Sequence, residues 1–216
     1  MQIDPGTQTK KENYKLLIGS ILPRPIAFIT SVSSSGVVNA APFSFFNVIG
    51  TEPPLVGLSC IRKEDGRMKD TARNIVEQRE FVVQVVSEDI VSLVNETAVD
   101  FPPEQSEAER VGFHLVPSSV IQVPRIKETK IQMECRLFQH LPLGGAKDRP
   151  NADFFIGEIV CFHLDDELYL SGRVDTETLR PVGRMAGTTY VRRGKMFSIP
   201  RLSYHEWLAQ NKKSRS

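Results

Sequence analysis

The chain is dominated by short runs of β-branched and aromatic residues, each bounded by Gly, Pro, Asn or Ser. Seven such runs predict strands over residues 25–33, 37–43, 55–61, 80–86, 130–140, 153–164 and 169–174. Between the first two runs, the stretch from Ser33 to Gly36 predicts a tight hairpin, because a glycine can adopt the positive φ that such turns require. The first two strands are therefore expected to be antiparallel.

Helical signals are fewer and lie between the strands. Asp70 and Thr71 are expected to cap a helix over residues 70–78, and a second helix is predicted over residues 88–97. The capping-box pattern that starts at Ser106 predicts a third, which ends before Gly112. Strands that outnumber short helices indicate a mainly β fold, an antiparallel barrel decorated by peripheral helices. A doubly wound parallel sheet would need a more regular alternation of strands and helices.

Size and charge limit the organisation and the partners. A chain of 216 residues favours one domain over two equal ones, and a net charge of +1 argues against an extended nucleic-acid surface. No apolar run approaches the roughly 18 residues of a spanning helix, and the N-terminal residues do not resemble a secretion signal. We therefore expect a cytoplasmic protein with no membrane and no nucleic-acid partner.

Sequence motifs for hydrolysis, nucleotide binding and metal binding are missing. There is no G-x-S-x-G, H-E-x-x-H, P-loop or G-x-G-x-x-G pattern. The cysteines Cys60, Cys135 and Cys161 include no C-x-x-C pair, so reduced thiols and no metal site are expected. The four histidines are scattered singly, and the acidic run at 165–167 fits a solvated turn better than a catalytic pair of carboxylates.

Two stretches have the composition of a ligand site. Neutral polar residues are interleaved with aromatic and proline residues over 31–47, which suits a flat, uncharged heteroaromatic ligand; a hairpin with one polar face explains the same pattern. Residues 62–79 contain six basic and four acidic residues and a predicted helix start, which suits an anion such as a phosphate. A surface turn with internal salt bridges explains that second pattern equally well.

Several motifs occur together in the order found in one known family. They are Arg24-Pro25-Ile26-Ala27-Phe28-Ile29-Thr30-Ser31, Asn39-Ala40-Ala41-Pro42-Phe43-Ser44-Phe45-Phe46-Asn47, Lys69-Asp70-Thr71, Gly157-Glu158-Ile159-Val160 and Pro181-Val182-Gly183-Arg184-Met185-Ala186-Gly187 with Tyr190. Together they resemble the flavin reductase-like family of FMN-binding split barrels. Within it, the chain is most similar to the group that includes flavoredoxins and the reductase component of two-component monooxygenases, such as nitrilotriacetate monooxygenase component B.

The resemblance implies a fold, a cofactor and a set of contacts. The fold would be a six-stranded antiparallel Greek-key barrel in a single domain, residues 1–216, with a core over about 14–193 and a C-terminal arm over 194–216. FMN would bind near a homodimer interface. The flavin edge would be reached by Arg184, Gly187 and Tyr190, either from the same chain or from the partner subunit. The implied cofactor contacts are Thr30, Ser31, Asn39, Ala40, Ala41, Pro42, Ser44, Asn47, Ser59, Cys60, Arg62, Lys69, Thr71, Arg184, Gly187 and Tyr190. The 141–150 loop and the Met185-Ala186 pair depart from the family pattern.

The implied activity is that of an FMN-dependent NAD(P)H:flavin oxidoreductase, which transfers a hydride from NADH or NADPH to FMN. Reduced FMN would stay bound or pass to a partner monooxygenase. Because the cofactors carry out this chemistry, no residue is nominated as a catalytic acid or base. His140 and His163 are candidates for contact with the flavin or the nicotinamide. An electron-transfer flavoprotein and a non-catalytic flavin-binding module remain as alternatives.

Overall fold

The structure is a computed structural model that describes residues 1–145 and 149–213, with side chains described through residue 210. Residues 146–148 of the 141–150 loop and the end of the arm, 214–216, lie outside the described residues. The strands are β1 (Ala27–Val32), β2 (Val38–Phe43), β3 (Phe46–Thr51), β4 (Pro54–Ile61), β5 (Glu80–Val85), β6 (Leu115–Val116), β7 (Arg125–Ile126), β8 (Ile131–Leu143), β9 (Ala152–Leu164), β10 (Tyr169–Leu170), β11 (Arg173–Val174), β12 (Val182–Arg184) and β13 (Tyr190–Arg192). The helices are α1 (Lys10–Ser20), α2 (Asp70–Gln78), α3 (Val91–Glu96), α4 (Glu107–Arg110), α5 (Thr176–Leu179) and α6 (Tyr204–Lys213).

One seven-stranded antiparallel sheet, in the order β2-β1-β5-β8-β9-β4-β3, forms the body of the protein. Six of its strands were predicted from the sequence, and the mainly β expectation is confirmed. The predicted first hairpin is also confirmed: Gly36 has a φ of 87°, and its N–H donates to the Ser33 carbonyl at 2.9 Å. The two edge strands of the sheet, β2 and β3, are joined directly through Ser44 and Phe45, so the two ends of the sheet meet there.

Two strand predictions fail for local reasons. Strand β3 was missed because Asn47 and Gly50 interrupt the apolar pattern, and as an edge strand it leaves the side chains of Val48 and Ile49 exposed. The predicted strand over 169–174 is wrong. Ser171 and Gly172 both have positive φ, so the chain turns there and forms only the two-residue strands β10 and β11.

The helix predictions are partly confirmed. Helix α2 spans the predicted residues, but the expected cap at Asp70 and Thr71 is wrong: the N-cap is Lys69, whose backbone is extended and whose side chain makes no capping hydrogen bond. The second helix is shorter than predicted, whereas Ser106 caps α4 as expected. Helix α1 was missed because it buries one side chain and so has no apolar stripe.

The sheet and its helices enclose two main groups of buried apolar side chains. The inner group fills the barrel with residues that include Ile29, Phe81 and Phe155, and α2 closes one side of it. The outer group packs α3 and α4 against β1 and β2. None of the helices in residues 1–145 and 149–213 is long and apolar enough to cross a membrane.

Candidate functional site

Three adjoining depressions meet at the end of strand β2, and Pro42 and Phe43 line all of them. The largest has a volume of about 380 Å³ and runs along β4, and the smaller two measure about 100 and 80 Å³. We call this continuous surface the β2 groove. Where Pro42 and Phe43 form its wall, the surface is uncharged and partly apolar, which suits the face of a planar ring.

Three cations, Arg62, Lys63 and Lys69, line the largest depression of the β2 groove together with Ser59. Arg62 is committed to the protein, because its Nε and Nη2 each donate to the carboxylate of Asp153 at 2.8 Å. Lys63 lies 3.2 Å from Asp100 and 3.7 Å from Asp70.

Lys69 differs from the other two cations. It has no carboxylate within ion-pair distance in the described part of the chain, and its ammonium lies 5.8 Å from the centroid of the Phe43 ring. It also stands at the N-terminus of α2, where no side chain caps the first backbone N–H groups. An uncapped helix start beside an unpaired ammonium favours an anion. The phosphate half of the sequence prediction therefore fits Lys69 and the start of α2 better than it fits Arg62.

A buried polar network supports the floor of the groove. Asn39 Nδ2 donates to Glu107 Oε1 at 2.6 Å, and the N–H of Ala40 donates to Glu107 Oε2 at 3.0 Å. The Thr71 hydroxyl donates to Asn39 Oδ1 at 2.5 Å, and the Ser31 hydroxyl reaches the same oxygen at 3.4 Å. Asn39, Thr71 and Glu107 all line the groove, so the network fixes the orientation of its polar groups.

Burial raises the pKa of the Glu107 carboxyl, and this effect exceeds the opposing influence of the Ala40 N–H and the Asn39 amide. The residue keeps only 7% of its surface exposed. Glu107 was read from the sequence only as part of a helix start. The capping pattern at Ser106 located α4, but no local signal shows that α4 packs on β2.

The hairpin of β12 and β13 brings the predicted flavin-edge residues to the other end of the groove. Arg184 Nη2 donates to the Gly187 carbonyl at 2.6 Å, and its guanidinium lies 4.4 Å from the centroid of the Tyr190 ring. The Tyr190 hydroxyl donates to Asn95 Oδ1 at 2.8 Å. Arg184, Tyr190 and Asn95 line the same depression as Ser44, so one chain alone brings these residues together.

Arg24, which the sequence singles out only as the first residue of a motif, connects this hairpin to the rest of the site. Its backbone pairs with Arg184 through two hydrogen bonds of 3.0 and 2.8 Å. Its buried guanidinium donates to the carbonyls of Ile18 and Met185 at 2.9 Å and to the Ser44 hydroxyl at 3.3 Å. Arg24 therefore holds α1, β12 and the end of β2 in one arrangement.

Several predicted contacts do not present side chains to the groove. The side chains of Thr30, Ala40 and Cys60 are buried, with the Thr30 hydroxyl donating to the carbonyl of Pro124 at 2.7 Å. Burial also raises the pKa of the Cys60 thiol. Asn47 is exposed on β3 and its amide oxygen accepts from the next backbone N–H. Ala41 lines the groove with the residues named above.

The two histidines proposed as ligand contacts do not line the groove. His140 Nε2 lies 2.9 Å from Asp153 Oδ1, and the ring stacks on Phe155 with centroids 4.8 Å apart. His163 Nε2 lies 2.6 Å from Glu134 Oε1. Each histidine is thus paired with a buried carboxylate, and contact with the flavin or the nicotinamide stays a prediction for both.

The comparisons with known proteins agree with the resemblance seen in the sequence. Residues 18–178 match the family described as flavin reductase like domain. An uncharacterized protein of Halalkalibacterium halodurans is 51% identical over 201 residues, which are 93% of this chain and 96% of that protein.

Solved structures extend the comparison to the whole fold. The crystal structure of nitrilotriacetate monooxygenase component B from Bacillus cereus is 47% identical, with a TM-score of 0.90 over 92% of this chain and 98% of that chain. A protein with a split barrel domain from Shewanella frigidimarina is 21% identical, with a TM-score of 0.79 over 94% of this chain and 100% of that chain. The latter shows the fold alone, and the predicted split barrel is confirmed.

Proposed function

The chain belongs to the flavin reductase-like family, and we propose from this premise that it is an FMN-dependent NAD(P)H oxidoreductase that supplies reduced FMN to a partner monooxygenase. The observation that carries the proposal is the combination, in one groove, of a neutral wall at Pro42 and Phe43 with an unpaired ammonium at Lys69. FMN needs both, because its ring is planar and its phosphate is anionic.

The phosphate would be held where the groove is cationic. Lys69, the first N–H groups of α2 and the Ser59 hydroxyl are the donors in that part of the groove. Charge-assisted bonds of this kind are about twice as strong as neutral ones. Arg62 would add positive charge from a fixed position, because the carboxylate of Asp153 holds two of its three nitrogens.

The ring would lie against the wall formed by the end of β2. Pro42 and Phe43 provide apolar contact, whereas Asn39 and Ser44 offer hydrogen-bonding groups whose positions Glu107 and Arg24 fix. When bound, FMN would accept a hydride from the nicotinamide and hold the electrons for a second acceptor. The residues of the chain would orient the ring and exclude water, and no side chain is required to move a proton.

The partner and the oligomeric state belong to the same proposal. The similar protein from Bacillus cereus is named as a monooxygenase component, which supports transfer of reduced FMN to a second protein. A homodimer is supported by the family resemblance and by the exposed apolar residues Val48 and Ile49 on the edge strand β3. Sedimentation analysis of the purified protein tests the dimer directly.

The activity is tested with purified protein, FMN, and NADH or NADPH as alternative electron donors. We expect FMN binding and FMN-dependent oxidation of at least one nicotinamide. Binding of FMN without nicotinamide oxidation would favour an electron-transfer flavoprotein or a non-catalytic binding module. Failure to bind FMN at all would contradict the proposal.

A further inference from the structure

The ladder between β8 and β9 brings three potential metal ligands onto one patch, away from the β2 groove. Glu134 pairs directly with Cys161 across the ladder, and His163 lies two residues further along β9, on the same face as Cys161. His163 Nε2 lies 2.6 Å from Glu134 Oε1 and 3.5 Å from Cys161 Sγ, and the three ligand atoms all lie within 4.8 Å of one another. Strand register places the three residues on one face of the ladder, and their side chains converge from there.

The carboxylate of Glu134 is fixed before any ion arrives. Its side chain is fully buried, and the backbone N–H groups of Ser119, Val120 and Ile121 donate to its two oxygens at 2.6 to 3.1 Å. Burial alone would raise the pKa of Glu134, but the Ser119 N–H, the His163 ring and the other two N–H groups together hold it below its usual value. Metal-binding carboxylates are commonly supported by hydrogen bonds of this type.

One of the three distances between the ligand atoms already matches a tetrahedral ion, and small side-chain movements would adjust the other two. With bond lengths of about 2.0 Å to nitrogen and about 2.3 Å to sulfur, a tetrahedral zinc ion requires its nitrogen and sulfur ligands to lie about 3.5 Å apart. The distance between His163 Nε2 and Cys161 Sγ has this value. His163 Nε2 and Glu134 Oε1 lie at hydrogen-bond distance, 2.6 Å. Their separation would have to increase by about 0.7 Å to accommodate such an ion.

We propose that Glu134, Cys161 and His163 form a binding site for a divalent ion of the zinc type. The side chain of His163 is 21% exposed and Cys161 is half-buried, so water can occupy the fourth position. Binding releases the thiol proton of Cys161 to solvent, and any proton on His163 Nε2 must leave that atom, to Nδ1 or to solvent, before the nitrogen can bind the ion. None of the three residues lines the β2 groove, so the site does not depend on the proposed function.

The expectation of no metal site rested on the absence of a C-x-x-C pair and on histidines that are scattered singly along the chain. Here the ligands come from two strands, and only Cys161 and His163 are near each other in the chain. The pair formed by His114 and Glu128, whose atoms lie 2.5 Å apart, provides a matched comparison. It has a histidine and a carboxylate but, among the described residues, no cysteine in contact.

The test begins with protein freed of metal by dialysis against a chelator and then titrated with cobalt(II) chloride. We expect a near-ultraviolet thiolate-to-cobalt charge-transfer band in the difference spectrum, and its loss in Cys161→Ser. Zinc affinity, measured by competition with a chromophoric chelator, should fall at least about 100-fold in Cys161→Ser and His163→Gln, because even an outer-sphere partner contributes about 10- to 100-fold. The control His114→Gln should keep the affinity of the wild type.

A second measurement shows whether the variants remain folded. Zinc should raise the midpoint of thermal unfolding of the wild type, because an ion that binds only the folded state stabilises it. Cys161→Ser and His163→Gln should unfold cooperatively near the metal-free wild type and show no zinc-dependent rise. Absence of the charge-transfer band in the wild type, or equal zinc affinity in the wild type and Cys161→Ser, would overturn the proposal.

Discussion

The side chain of Asn39 is held by Glu107, whose Oε1 accepts from Asn39 Nδ2 at 2.6 Å while its Oε2 accepts from the N–H of Ala40 at 3.0 Å. The two residues are 68 positions apart, and their contact joins α4 to the strand that forms the wall of the β2 groove. The shape of the proposed FMN site therefore depends on this contact between α4 and β2.

Replacement of Glu107 by Gln should weaken FMN binding about tenfold, which corresponds to a loss of about 1.4 kcal/mol of binding free energy. The amide nitrogen of glutamine would face either the Asn39 amide or the Ala40 N–H, both of which are donors, so the wall could not keep its arrangement. Fluorescence titration with FMN and with riboflavin measures the effect, and both ligands should lose affinity equally. Glu109→Gln, on the exposed side of α4, should bind both flavins as the wild type does.

Replacement of Lys69 by Met should weaken FMN binding about 10- to 100-fold but leave riboflavin binding unchanged. The reason is that, among the three cations of the largest depression, Lys69 has no carboxylate partner in the described residues, and a lost charge-assisted bond costs about 1.5 to 3 kcal/mol. Lys11→Met on the exposed part of α1 is the control. Equal losses for FMN and riboflavin would mean that Lys69 does not contact the phosphate.

Substitution of Gly157 by Ala should destabilise the barrel by about 1 to 3 kcal/mol. A Cβ at this position would lie 2.4 Å from Cζ of the buried Phe81 ring, which cannot move without disturbing the inner core. Gly19→Ala provides the opposite case, because Gly19 lies in α1 with open space around it. This substitution should raise the free energy of unfolding by about 0.5 to 1 kcal/mol. Urea unfolding of both variants measures the change in the free energy of unfolding, which should be negative for Gly157→Ala and positive for Gly19→Ala.

The buried carboxylate of Asp153 should contribute to the acid sensitivity of the fold. Burial alone would raise the pKa of Asp153, but the hydrogen bonds from Arg62 and then His140 lower it below the ordinary value of 3.8. A folded-state pKa below the unfolded one contributes stability above pH 3.8 that is lost as the pH falls through the folded pKa. The free energy of unfolding of the wild type should therefore fall as the pH drops below about 4.

Asp153→Asn should show a smaller acid-dependent loss, because Glu134 and other carboxyls with a lowered pKa remain. It should also be less stable by about 3 kcal/mol at pH 7, because it leaves the guanidinium of Arg62 largely buried without its carboxylate. Asp65→Asn, which breaks the exposed pair with Arg67, should follow the wild-type curve closely. Chemical denaturation at a series of pH values gives both comparisons. An acid dependence in Asp153→Asn equal to that of the wild type would contradict this role for the residue.

The sequence was most informative where structure is locally encoded. Strands such as β1 and β5 are short β-branched runs, and Gly36 marks the hairpin, so these features could be predicted without knowledge of the fold. Helix α1 could also have been found, because Thr9 and Glu12 form a capping box. The break at Ser171 was harder to see, since a positive φ at a serine has no clear local signal.

The composition of the groove was predicted better than its connections. The neutral wall and the cationic turn were both recognised, but the sequence could not show that Arg62 is held by Asp153, which lies 91 residues away. It also could not separate Lys69 from its paired neighbours. Such contacts depend on which elements pack together, and only the assembled sheet determines that.

The central claim is tested most directly by anaerobic stopped-flow mixing of the FMN-loaded protein with NADH and, separately, with NADPH. The account predicts rapid loss of the visible flavin absorbance with at least one of the two nucleotides, at a rate that rises with nucleotide concentration. A protein that binds FMN but keeps its absorbance with both nucleotides would contradict the proposed reductase activity.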